Sequence, residues 1–253
     1  MTGEAMPFPD PREAWFSPYR GMAFGQSFKW LFAGVLLYAL LLLVAMAGKP
    51  EEATYPIIGP SLYLTPMFGL PYVLATLNRP GRTRRMLYFI LLLPLVHIAA
   101  NYLAWYYAVS NFDQLDASGD FRRNLITGAI GGLAGAVFSF ALLRLVQLTP
   151  AVRSPLVMMI VGTMLLTALG AWTMAAGLQW TDAVRRPYQH DRAILWYQSV
   201  HLPWQLVFAL LLAWLMRKAR EPEKPKRPAG PAEALASDAQ AVAGRLRENI
   251  SAE

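Results

Sequence analysis

No cysteine occurs among the 253 residues, so disulfides, iron–sulfur clusters and thiolate zinc sites are excluded together. Charge is also scarce: charged residues make up 15% of the chain, against about a quarter in soluble domains, while hydrophobic residues reach 55%. Histidine appears three times, as His97, His190 and His201. The long apolar runs contain no Asp, Glu or Lys, and their Ser and Thr residues have no base partner at a fixed spacing. Conventional hydrolytic catalysis therefore has no constellation to rest on. The net charge of +7 would suggest nucleic acid in a soluble protein, but the cations lie between and after hydrophobic runs. That placement reads as a topology signal, and nucleic acid is not expected as a partner.

A bilayer core about 30 Å thick needs roughly 20 apolar residues in a helix. Six windows qualify, at about 30 to 47, 56 to 77, 86 to 108, 125 to 147, 155 to 178 and 193 to 216. The expected fold class is all-α: a polytopic helical bundle of six spans. Residues 1 to 29 form a polar N-terminal segment, 30 to 216 the membrane domain, and 217 to 253 a basic linker with a short amphipathic helix. The polar start lacks the basic region and cleavage site of a signal peptide, so no removal is expected. The second span carries Pro56, Pro60, Pro66 and Pro71. Each interior proline removes an amide donor and clashes with the carbonyl four residues back, so this span is expected to be kinked or broken and shielded from lipid.

Counting Lys and Arg between spans fixes a direction. With both termini cytoplasmic, the inner segments collect Arg12, Arg20, Lys29, Arg79, Arg82, Arg84, Arg85, Arg144, Arg153 and Arg217 onward. The outer loops keep Lys49, Arg122, Arg123, Arg185, Arg186 and Arg192. Trp105, Tyr106, Tyr107, Trp180, Trp196 and Tyr197 fall at the expected outer interface, and Trp30 and Trp214 at the inner one. The expected location is a bacterial inner membrane, crossed several times. Beyond Pro231, Leu235, Ala239, Val242, Leu246 and Ile250 recur at spacings of three and four, which fits a short helix that could dock a partner.

Span four carries two pairs of glycines four apart, Gly128 with Gly132 and Gly131 with Gly135. Small residues at that spacing let helix backbones approach closely, within the monomer or between copies in a homo-oligomer. The loop at Asp113, Asp116 and Asp120 offers oxygen ligands for a hard cation, but lacks the ligand spacing of an EF-hand. Asp120 also has Arg122 and Arg123 as ion-pair partners close by. His190, between Asp182 and Asp191, has no helical ligand spacing.

The remaining polar groups at membrane depth are His97 and Asn101 in span three and Gln198, His201 and Gln205 in span six. Both spans show a Val-His pair with a carboxamide four residues after the histidine, "VHIAAN" and "VHLPWQ". Residues four apart share a helix face. Counted from the outer ends at 1.5 Å per residue, Gln198 lies about 7 Å deep, Asn101 about 9, His201 about 12, His97 about 15 and Gln205 about 18. Antiparallel packing of the two spans would interleave these groups into one polar ladder, and the shared spacing suggests an inverted repeat of three plus three spans.

Three readings of the ladder follow. It is a structural hydrogen-bond network, a proton or solute path, or a b-type haem site with His97 and His201 as axial ligands. The expected function is a small transporter or permease-like protein with its polar path between spans three and six. The competing class is a non-catalytic membrane subunit that docks a partner membrane protein through span four and the C-terminal helix.

Overall fold

The computed structural model describes residues 22–48, 59–111, 120–149, 154–183 and 189–217. Among them the regular structure is helical, and five helices are long and apolar enough to cross a membrane. These are α1 (Phe24–Gly48), α4 (Pro80–Asn111), α5 (Phe121–Leu145), α6 (Ser154–Ala183) and α7 (Gln189–Leu215). Within hydrocarbon every backbone donor and acceptor must be satisfied inside the segment, and these runs do so as helices. Each extends past its apolar window by several polar residues. Asp120 shows how one begins: its side chain accepts from the Arg123 amide at 3.0 Å, capping α5, and also pairs with the Arg123 guanidinium at 3.0 Å. Asp113, Asp116 and the C-terminal stripe from Leu235 lie outside the described residues.

The proline-rich second span is broken into three pieces. They are α2 (Pro60–Tyr63), a 3-10 turn (Thr65–Phe68) and α3 (Leu70–Ala75). Pro60, Pro66 and Pro71 each fall in the first turn of a piece, where a missing amide costs nothing. A proline in the continuous run therefore ends one piece and starts the next. Threonines take up some of the backbone: Thr65 Oγ1 donates to the Ser61 carbonyl and Thr76 Oγ1 to the Tyr72 carbonyl, both at 2.9 Å. The corresponding span of the second half, α6, is one unbroken helix, so the two halves differ here.

Close contacts fix the directions. Tyr38 reaches Ser61, and Gly34 abuts the Phe68 backbone, so the broken segment runs antiparallel to α1. Ser61 faces His97 while Gly69 faces Ile90 and Met86, so it also runs antiparallel to α4. Further pairs make α4 and α5, α5 and α6, and α6 and α7 antiparallel in turn, for example Gly131 with Ala104, Gly128 with Gly170, and Gly177 with Ser199. The starts of α1 and the end of α7 meet where the Met22 amide donates to the Met216 carbonyl at 3.1 Å. Lys29, Arg79, Arg82, Arg84, Arg85, Arg144 and Arg217 consequently share one end of the bundle, and Arg122 and Arg123 mark the other.

Neighbouring elements pack as a ring: α1 on α7, α7 on α6, α6 on α5, α5 on α4, and the broken segment between α4 and α1. The outward faces are apolar, with Leu36, Leu40, Val44, Leu91, Leu95, Val157, Ile160 and Met164 exposed. Lipid is the solvent such a surface fits. Inside the ring at the arginine end, Phe68, Phe89 and Phe140 gather around Phe208, with ring centroids 5.8, 6.4 and 6.0 Å away.

Candidate functional site

The glycines of α5 serve two faces. A Cβ on Gly132 would lie 2.8 Å from the Leu166 carbonyl oxygen, and one on Gly128 would strike Gly170 and stand 2.5 Å from Met174 Cβ. Gly170 is equally tight in return, 2.8 Å from the Gly128 carbonyl oxygen. These glycines let α5 and α6 touch backbone to backbone. Gly131 and Gly135 point elsewhere, their added Cβ atoms meeting Ala104 and the Trp204 ring edge at an ordinary 3.4 Å.

Beside that second face lies a cavity of about 270 Å³. The face of α4 bearing His97, Ala100, Asn101 and Ala104 forms one wall, and Val200, His201, Trp204 and Gln205 of α7 form the facing wall. Gly131 and Gly135 of α5 form a third side, and Thr65 and Phe68 reach in from the 3-10 turn. The cavity extends toward the Asp120 end past Ala108, Met174 and Trp196. Toward the arginine end the phenylalanine cluster around Phe208 closes it, with Trp204 stacked on Phe208 at 5.1 Å.

His97 and His201 meet here, their ring centroids 5.6 Å apart. His97 Nε2 and Ser61 Oγ are 3.3 Å apart, a hydrogen bond across to the broken segment. His201 stacks on Tyr197 at 5.6 Å and meets Tyr38 edge-on at 6.5 Å. The Tyr38 hydroxyl donates to the Ser61 carbonyl at 3.3 Å and also lies beside the Gln205 carboxamide. A polar cluster thus joins α1, the broken segment, α4 and α7 at one depth. Pro94 and Pro203 lie within a turn of the two histidines, and each withholds an amide from the carbonyl four residues earlier, on Ile90 and Ser199.

Of the five ladder residues, His97, Asn101, His201 and Gln205 border the cavity. Gln198 does not: its Nε2 donates to the Ala39 carbonyl of α1 at 3.0 Å. Although Gln198 shares a stripe with His201 and Gln205, the stripe is wide enough that its outer end turns to α1. Tyr197 is another difference, for it is buried against Tyr38, Leu42 and Met46 rather than set at an interface. Gln205 is 9% exposed, and its Oε1, in a carboxamide that lies beside the Tyr38 hydroxyl, is buried with no hydrogen-bond partner among the described residues.

Tyr38, Ser61, Thr65 and Trp204 join the site without belonging to the ladder expected from the sequence. A single hydroxyl in the middle of the most hydrophobic helix was a usable signal for Tyr38. Ser61 had none, because Pro60 and Pro66 on either side of it break the helical register. Among the described residues no group of three or more His, Asp or Glu side chains is placed to hold a metal ion.

What the arrangement offers is a polar pocket in an apolar bundle: two imidazoles, two carboxamides and the hydroxyl residues Thr65, Thr127, Ser139 and Tyr197, with aromatic and small-residue walls and, among the described residues, no charged side chain. No family model, curated protein or solved structure matches the chain.

Proposed function

We propose that the protein is a six-span membrane transporter of the permease type, with the broken segment as its second crossing and the arginine end in the cytoplasm. The observation that carries this reading is the cavity itself, polar at membrane depth, extended toward one end and closed at the other by phenylalanines. A solute site reached from one side and sealed on the other is what alternating access requires of each of its end states. The broken segment supports the reading further. Its short pieces, joined by a 3-10 turn, contribute Thr65 to the wall and Phe68 to the seal, so a change at its breaks would move both.

The cysteine-free chain allows a direct test. Single variants Ala104→Cys, Ala108→Cys and Ser139→Cys are treated in intact cells with a membrane-impermeant maleimide. The expected outcome is outside labelling of Ala108→Cys and Ala104→Cys, with Ser139→Cys, one turn deeper than Gly135, also reacting from the cytoplasmic side in inverted vesicles. Labelling of none of the three from either side would remove the transport reading. The docking alternative would survive it, although Gly128 and Gly132 are already covered by α6 and offer no face to an outside partner. The adjacency of His97 and His201 also keeps a haem reading, in which His97 exchanges Ser61 for iron; a Soret band in the visible spectrum of the purified protein decides it.

A further inference from the structure

Short polar side chains in this bundle commonly close on their own helices. Thr163 Oγ1 donates to the Met159 carbonyl at 2.8 Å, Thr167 Oγ1 to the Thr163 carbonyl at 2.7 Å, and Asn111 Nδ2 to the Tyr107 carbonyl at 2.8 Å. A group held in this way has little left for a ligand. Asn101 is different: among the described residues its carboxamide has no hydrogen-bond partner, neither the His97 carbonyl one turn back nor a group on another helix.

Asn101 also sits where an occupant can meet it. It lies within the row of α4 residues that lines the cavity, with His97 and Ala100 on one side and Ala104 and Ala108 on the other. It is half-buried, whereas Gln205 is buried with its Oε1 sealed, so Asn101 carries the carboxamide open to the cavity. On the facing wall the His201 ring is held by stacking on His97 and Tyr197, and it too hydrogen-bonds no described residue. A neutral imidazole adds one donor and one acceptor to the polar side of the space.

The chemistry of a carboxamide selects its partner. It presents a donor and an acceptor side by side, and both are met at once only by a molecule with its own acceptor and donor side by side. Carboxylic acids and carboxamides have that edge, but an acid ionises below neutral pH and loses its donor. The anion would also give up its hydration in a space that no Lys or Arg borders among the described residues. The amide remains, and the apolar side chains of Val96, Ala100 and Ala104 beside Asn101 suit a short hydrocarbon body.

We propose that the cavity binds a small uncharged carboxamide with a short apolar body, its amide edge paired with the Asn101 side chain by two hydrogen bonds. The proposal rests on the transport reading of the same cavity and names its substrate class. A ketone of the same shape keeps the acceptor and lacks the donor, so it is admitted but bound less well.

The test uses protection of Ala104→Cys from the maleimide in cells, one turn from Asn101, with Ala108→Cys as a second reporter. The probes are butyramide, its isosteric ketone 2-pentanone and the butyrate anion, compared at equal free concentration. The expected result is half-protection by butyramide at about fivefold lower concentration than by 2-pentanone, the value of roughly one net hydrogen bond, and no protection by butyrate. In an Asn101→Leu background butyramide and 2-pentanone should protect alike, and Asn101→Ala serves where the leucine variant does not accumulate. Equal protection by the two in the presence of Asn101 would overturn the proposal, and so would a preference for butyramide that survives the loss of Asn101. Protection by butyrate would overturn it too. If the cysteines react from outside and no probe slows them, the substrate class is wrong while the pathway stands. If neither these cysteines nor Ser139→Cys reacts from either side, the transport reading falls and the substrate class falls with it.

Discussion

Replacing Gly34 by alanine should loosen the seam on which the cavity depends. Gly34 sits where α1 meets the 3-10 turn, and a Cβ there would lie 2.6 Å from the Phe68 carbonyl carbon and closer still to its oxygen. Ordinary contact begins at 3.4 Å, and the obstacle is backbone, which cannot rotate away as a side chain can. Either α1 or the turn must retreat by about 1 Å or more, an overpacking that costs about 1–3 kcal/mol. The same shift lengthens the Tyr38 to Ser61 hydrogen bond, already 3.3 Å, and its loss adds about 1 kcal/mol. The better helix propensity of alanine returns at most about 1 kcal/mol. The net expectation is a loss of about 1–3 kcal/mol, measured as the unfolding midpoint in mixed micelles. Gly135→Ala is the matched control, because its Cβ would meet Trp204 at an ordinary 3.4 Å and should cost less than about 1 kcal/mol. If Gly34→Ala unfolds with the wild type while Gly135→Ala is the destabilised variant, the backbone seam at Phe68 is refuted.

Topology reporters fused after Arg85 and after Lys218 should signal cytoplasm, and those near Gly119 and Tyr188 the outside; a cytoplasmic signal near Gly119 would end the six-span arrangement. A His97→Cys, His201→Cys pair should crosslink with a short bifunctional reagent, because the two rings are 5.6 Å apart; a folded double variant that never crosslinks would contradict their meeting. His97→Gln and His201→Gln should leave the protein folded, since a carboxamide can replace the bond to Ser61, and should abolish transport only if the imidazoles themselves titrate or ligate. Truncation at Glu221 should leave expression and the unfolding midpoint nearly unchanged, and aggregation of the truncated protein in detergent would show that the tail packs on the bundle.

The amino-acid sequence by itself determined the solvent and the elements. Apolar runs of membrane length can satisfy their backbone only as helices, so five of the six windows became long helices, and Pro60, Pro66 and Pro71 of the second window left no continuous ladder to form. It also determined that His97 and Asn101, and His201 and Gln205, share faces, because a four-residue spacing does so on any helix. It showed the two glycine pairs as surfaces for close approach. What it left open was the rotation of each helix about its own axis. That is decided by contacts between residues far apart in the chain, such as Gly34 with Phe68, Gly128 with Gly170 and Gln198 with Ala39. Those contacts turned Gln198 toward α1 and set Gly128 and Gly132 against the α6 backbone while Gly131 and Gly135 face Ala104 and Trp204, all four glycines bordering the cavity. They also brought Tyr38 and Ser61, which no local pattern connects, to the histidines. The cavity has the same origin, since a space between helices belongs to none of them and exists only once α4 and α7 are held apart across the ring.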